Sequence, residues 1–411
     1  MTYPIGDVWN QLITPGNTLR FQYEHLDNQD DTLGWLTRFI TGCTITHDYT
    51  ATIKRTAKFS LVEQPSVDFD FLNDRIRPWI GIQMPDGGWA DYPQGVFLTS
   101  SPTRVYNRGL ITREVDAYDK TKVLLDASFG TSDTTIGNYV IPAGTIYTDE
   151  IINLLGQSGI LTTQIKIVES TQATVWHRIH SNQKKYKAHK AHYRHRAGDL
   201  LKKKHTLTRK LNSVHKLIQK LIVGINYEEL WFDGYCNAII EPYQEPDSAD
   251  VDHLYEVSEE SILHPEVDQT LDLFDIPNVI VLVVSQSDRP LLKSKFVNKD
   301  PNSPVSTVRR GRKIVHFDDS LDVASQSELD ALAKQAAIGA ANVYETVNIS
   351  TMINPLHGNR DIVFLEHPKL GLSDKFMEFG WSIEMKAGGT MTHQLRRVVN
   401  LDAALVGDPD V

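Results

Sequence analysis

The chain has 411 residues, 41% hydrophobic and 23% charged, with 42 Lys and Arg against 52 Asp and Glu for a net charge of −10. That composition belongs to folded protein, exceeds what one hydrophobic core supports, and so predicts two to four domains instead of a disordered chain. Two cysteines, Cys43 and Cys236, exclude a disulfide framework and a cysteine zinc motif and suit folding in a reducing cytoplasm.

Met1–Leu12 lacks a basic start followed by an apolar stretch, so no secretory signal is expected. The first 120 residues read as β. In Arg55–Leu61 the residues Ala57, Phe59 and Leu61 alternate with Lys58 and Ser60. Trp79–Met84 runs into Pro85-Asp-Gly-Gly88, a turn signal, and Gly95–Leu98 follows. Thr103–Tyr106 and Leu110–Tyr118 are two further strands, with Arg108-Gly109 turning between them. Short strands at this spacing predict a barrel or sandwich over residues 1–121. Residues 122–170 are mixed. Thr148 is the expected cap of a helix through Ile151, Ile152, Leu154 and Leu155 that stops at Gly156 or Gly159.

Residues 172–225 read as helix. Ile179, Tyr186, Tyr193, Leu200, Leu207, Val214 and Leu221 recur every seven residues, beside a second series that is apolar only in part. Gly198-Asp199 fits a stop followed by a new cap, so we expect a helical hairpin; the register that continues across Gly198 favours one long rod instead. Between Trp176 and Lys220 lie 14 of the 42 basic residues, seven histidines and a single acid, Asp199. An acidic body thus carries one basic element.

Leu230–Tyr235 and Asn278–Val284 return to β character; the nine-residue stretch Ile276–Val284 is the most apolar run, far short of a membrane span. Residues 122–171 and 226–290 are expected to make a mixed α/β middle domain. Pro301–Pro304 and Arg309–Arg312 read as a loop. Ser325 and Glu328 form a capping box for a helix with Leu329, Leu332, Ala333 and Ala336 on one face. Strands follow at Val343–Ile353, Ile362–Leu365, Phe376–Met385 and Met391–Val399, the last two joined by Ala387-Gly-Gly389. The predicted fold class is a β-rich, multidomain α+β chain with a barrel at each end, the second over residues 291–411.

This order resembles the tail hub, or baseplate hub, proteins of long-tailed phages and the related base of the type VI secretion spike. The resemblance rests on Lys54–Leu61 and Gly95–Ser100 near one end. At the other it rests on Ser325–Ala341 running into Val343–Ile353, Asn354-Pro-Leu-His-Gly358, and Phe379–Met385. It implies two tail-tube-like barrels per subunit, so that a homotrimer presents six and adapts a sixfold tube to a threefold tip. It also implies a location in the virion tail tip and a channel through which DNA exits. The implied partners are the tube and distal tail proteins, the tape-measure protein, and tip, fibre or receptor-binding proteins. A tail hub of this kind is structural, with no catalytic, cofactor or metal residues assigned.

Two other readings compete. Lys184, Lys185, Lys187, Lys190, Arg194, Arg196, Lys202, Lys203, Lys204, Arg209 and Lys210, with Tyr186 and Tyr193 between them, could neutralise phosphates and stack bases, as in a nucleic-acid-binding injection protein. The same residues fit the solvated face of helices docking on an acidic partner. His177, His180, His189, His192, His195, His205 and His215 lack the i, i+4 spacing of a metal pair on a helix. Glu228, Glu229 and Asp233 beside Trp231 and Tyr235 could serve a cell-wall or polysaccharide hydrolase, but alternation along a strand explains them equally well.

Overall fold

A computed structural model describes residues 18–63, 68–100, 102–107, 109–127, 141, 144–172, 213–258, 261–271, 274–284, 291–319, 321, 323, 325–342, 345–398 and 405–407. The first part is nine strands: β1 (Leu19–Leu26), β2 (Thr32–Trp35), β3 (Ile40–Asp48), β4 (Arg55–Val62), β5 (Arg75–Gln83), β6 (Trp89–Pro93), β7 (Phe97–Thr99), β8 (Thr103–Asn107) and β9 (Leu110–Tyr118). The alternation read in β4 is real: Ala57, Phe59 and Leu61 are buried while Lys58 is exposed. Gly87, at φ +84°, lets the Pro85–Gly88 turn close the β5–β6 hairpin, and the Met84 amide donates to the Gly88 carbonyl at 2.8 Å. The β6 strand, not anticipated from the sequence, is the other arm of that hairpin.

A middle unit follows: α1 (Thr121–Asp126), α2 (Tyr147–Gln157), β10 (Ile165–Ile167), α3 (Val214–Gly224), β11 (Trp231–Phe232) and β12 (Ala238–Ile240). Helices and the small β10–β12–β11 sheet enclose one core containing Ile151, Leu155, Ile218, Ile222 and Leu230. Helix α2 begins two residues early, with Ile146 as its cap; Thr148 is buried inside the first turn instead. The seven-residue seam continues in sequence into α3, but the backbone does not: Ser213 is extended and caps a helix that starts at Val214. A helix running unbroken to residue 225, in a rod or as the second arm of a hairpin, is thereby excluded. Seam residues Val214, Ile218 and Leu221 pack into the middle-unit core. Residues 173–212, the rest of the expected hairpin, lie outside the described residues.

The remaining elements are β13 (His253–Glu256), β14 (Leu263–Leu271), β15 (Val279–Val284), β16 (Leu292–Asn298), α4 (Thr307–Arg310), β17 (Val315–Asp318), α5 (Gln326–Asn342), β18 (Glu345–Met352), β19 (Ile362–His367), β20 (Leu372–Glu384), β21 (Thr390–Arg397) and β22 (Leu405–Gly407). The loop expected at Arg309–Arg312 is a capped helical turn, α4, held by Ser306 at one end and by left-handed Gly311 at the other. Ser325 and Glu328 form the expected reciprocal capping box on α5. Pairing crosses the boundary expected at residue 290: β13 pairs with β19 and β14 with β18. Helix α5 covers one face of a separate four-stranded sheet, β17–β15–β16–β22.

The two ends of the chain meet in one sheet of 15 strands. Its main path is β14–β18–β21–β20–β3–β4–β9–β7–β5–β1–β2. At the seam, β20 and β3 pair antiparallel with Ile383 opposite Ile45. Each seam strand has a hairpin partner on its outer side, β4 or β21, and a third antiparallel strand beyond, β9 or β18. The order differs, because β9 follows its hairpin in the chain while β18 precedes its own. The sheet curls, bringing Tyr23 and Phe97 against Phe59, but the path ends at β14 and β2 without closing among the described residues. Curled open sheets therefore stand where closed barrels were expected. The core beneath β3 and β4 includes Trp381, Ile383 and Met391 from the far end, so it spans the seam. No helix among the described residues is long and apolar enough to cross a membrane.

Candidate functional site

Between β18 and β19 the segment 354–361 forms a polar junction. The Leu356 amide donates to Asn354 Oδ1 and the Gly358 amide to Asp361 Oδ2, which folds the segment back on itself. Glu378 sits on β20 before a bulge and points inward, 2% exposed. One carboxylate oxygen is 2.5 Å from His357 Nδ1 and the other is 2.6 Å from His393 Nδ1. Burial alone would raise the Glu378 carboxyl, but His357 and His393 hold it well below its usual range. An ionised Glu378 fixes the tautomer of His357: Nδ1 donates to the carboxylate and Nε2 accepts from the Tyr255 hydroxyl at 2.7 Å. Burial pushes His357 down to about 4, against the pull of Glu378. His253 stacks on His357 with ring centres 3.8 Å apart and lies 3.1 Å from Asp361. Burial would lower His253, but Asp361 raises it above the ordinary histidine value.

The same segment ties the three parts of the chain together. From the first part, Gln94 donates to the Pro355 carbonyl, and His47 Nε2 lies 2.9 Å from Asn359 Oδ1. His47 is stacked on Trp381, whose indole N–H donates to the Gly358 carbonyl. From the middle unit, Glu228 pairs with Arg360, which also donates to the Gln244 carbonyl. A further link joins buried Lys54 to Glu229 at 2.7 Å. The Gly95 amide donates to the Gly234 carbonyl, and a Cβ on Gly234 would overlap the Pro93 carbonyl oxygen, so only glycine fits.

The junction is a dense polar network, in which buried His47 Nδ1 is left without a hydrogen-bond partner among the described residues. His357, Glu378 and His393, and likewise His253, His357 and Asp361, bring ligand-type atoms within 4.8 Å of one another. His357 and His393 meet Glu378 through Nδ1, His253 meets Asp361 through Nε2, and Glu378 and His393 are sealed from solvent. In this arrangement these groups hydrogen-bond to one another and link β18, β19, β20 and β21.

The carboxylates read as hydrolase candidates are dispersed among structural contacts. Glu228 is on Arg360, Glu229 on Lys54, and Asp233 accepts from the Asn237 amide and side chain in a turn. His215 is buried in α3, which lowers its affinity for a proton. The other six histidines and all eleven basic candidates, Lys184 to Lys210, lie outside the described residues. The sequence marks Asn354–Gly358 but not the junction it belongs to. The available signal was register: in Met391-Thr-His-Gln-Leu395, His393 shares the inward face of two apolar residues.

The outer face of the large sheet has a different character. Register places Thr56, Thr46, Ser382, Thr392 and Ser350 side by side across β4, β3, β20, β21 and β18. The Thr46 and Ser382 hydroxyls are 3.1 Å apart across the seam. In the adjoining row Asp48, Gly380, Gln394, Asn348 and Asp268 stand in line. This face is accessible, polar and mostly uncharged. At the sheet's ends, β2 exposes Leu33 (56%) and Trp35 (52%), and β14 exposes Leu271.

No protein-family model and no curated protein matches the sequence. Solved structures do match the fold. The 43 kDa tail protein of prophage MuSo2 from Shewanella oneidensis superposes with a TM-score of 0.59 at 10% identity, over 92% of this chain and 98% of that one. The tail protein from Neisseria meningitidis MC58 gives 0.58 at 12% identity, over 93% and 97%. A chain of the half-lidded Francisella PdpA–VgrG complex gives 0.50 at 9% identity, over 94% of this chain and 58% of its own length. The chain has the fold of phage tail proteins.

Proposed function

We propose that the chain is a structural hub subunit of a phage tail tip, three copies of which close a ring that joins a sixfold tube to a threefold tip. The observation that carries this reading is the seam: two three-stranded sets, one from each end of the chain, lie edge to edge in one curved wall. Three such subunits would present six like segments, the number a sixfold tube requires. In this reading the open edges β2 and β14 meet between neighbours, since unpaired strand edges are templates for pairing. The hydroxyl row across the seam would face the lumen, where its side chains carry no charge to hold the phosphates of exiting DNA. Tube, tape-measure and tip or fibre proteins are the partners such a ring would contact, with the mixed middle unit on its flank. The fold shared with tail proteins over nearly their whole length supports the assignment.

Native mass spectrometry with negative-stain images of the purified chain tests it. A trimer with an axial hole is the expected result; a stable monomer at micromolar concentration overturns it.

A further inference from the structure

The second sheet, β17–β15–β16–β22, ends on β17, an outer strand paired only with β15 among the described residues. An edge of this kind is ordinarily a short strand guarded by charge against unwanted pairing. The residues of β17 and its two flanks say more. Lys313, Val315, Phe317 and Asp319 lie two apart in sequence, so on an extended chain they share one face, and all four are exposed, Val315 at 56% and Phe317 at 59%. That face is the one turned away from α5, because His316 and not Val315 or Phe317 is in register with the core residue Ile280. Read forward, the face is cation, aliphatic, aromatic, anion. Read backward against itself, it complements itself.

We propose that β17 is a self-association edge, which pairs antiparallel with β17 of a second copy about a twofold axis at His316. In that register Lys313 stands opposite Asp319 of the second copy and Val315 opposite its Phe317. Each contact occurs twice, as an isologous interface demands. Residues directly opposite in an antiparallel pair stand close enough for ion-pair and apolar contacts of this kind. Charge complementarity selects the second copy over other occupants: a uniformly acidic strand would meet Asp319, and an anionic nucleic acid would meet the same carboxylate. The α4 turn presents the edge, with Arg310 and Arg312 donating to the Ile276 and Phe274 carbonyls and holding the approach to β17 in place. The contact is small and therefore a weak one. It is separate from the β2 and β14 edges, so it doubles whatever unit exists, a single chain to a dimer or a ring to a face-to-face pair of rings.

Charge reversal tests it. Sedimentation velocity of the full chain from about 5 to 200 μM should show a concentration-dependent doubling of mass in 50 mM salt. Lys313→Asp and Asp319→Lys should each weaken doubling at least tenfold, because each places like charges opposite at both ends. The combined K313D/D319K chain, which restores both pairs in reversed sense, should return to within threefold of the parent. A parent with no doubling, or a double variant no better than the single ones, overturns the proposal. Circular dichroism matched to the parent confirms that each variant is folded, and loss of the trimer in a variant that still doubles would count against the ring alone.

Discussion

Glu378 shows how one buried carboxylate can organise the packing around it. Buried between two imidazoles, it has partners for both oxygens, and stacking and hydroxyl contacts extend the network through His357, His253 and Tyr255. Such a network is costly to protonate wrongly. Burial and Arg55 push His47 down to about 3, and burial pushes His357 down to about 4. Both are therefore neutral in the folded chain at pH values where the unfolded chain already binds protons. Their contribution is present above about 6.5 and is lost as pH falls toward 4, at up to about 1.4 kcal/mol per unit for each group. Glu378, lowered, adds stability that is lost below the usual carboxylate range. His253 works in the opposite sense: its raised value adds stability at low pH that fades as pH rises through that value. Two histidines outweigh one. The melting temperature should drop by about 2–4 °C between pH 7 and pH 5, read by differential scanning calorimetry; a flat profile would refute the network's protonation states.

At the scale of elements, what sequence could reveal was what neighbours in the chain decide. The Pro85–Gly88 turn, the Ser325–Glu328 box and the alternation of β4 are local, and each formed where the residues placed it. The α3 boundary was not legible, since Ser213 interrupts a seam whose apolar spacing runs on regardless. Nor were β13 and β14, whose mostly exposed residues carry no inward pattern strong enough to mark a strand. The buried histidines were hidden for a related reason: polar residues on an inward face look like loop or surface until the partner strand is known. Connections between elements hinge on single positions, as at Gly234 against Pro93. Gly234→Ala should destabilise by about 1–3 kcal/mol, because the added methyl must push β6 away from the middle unit. Urea titration checks this, and an unchanged midpoint would show that the two parts separate freely.

For the whole molecule, the sheet's two ends are where assembly would act. Trp35 on β2 is half exposed in an otherwise short, open edge. If copies join there, Trp35→Asp should abolish the ring while leaving circular dichroism and melting temperature of the single chain near the parent's. Multi-angle light scattering reads the difference, and an intact trimer in this variant would place the contact elsewhere.

The β3–β20 seam also sets a timetable. Thr46 and Ser382, hydroxyl to hydroxyl in the finished sheet, are separated by 336 positions in the chain. At roughly 5–20 residues added per second, the ribosome needs about 17–67 s to deliver the second after the first. Through that interval the N-terminal sheet carries a bare flank, and Phe59 and Ile45 lack the cover that Trp381 and Ile383 later provide. The nascent chain thus depends on its last strands for its first ones to be sheltered, so truncated products would be sticky, and only completed subunits would be fit to assemble.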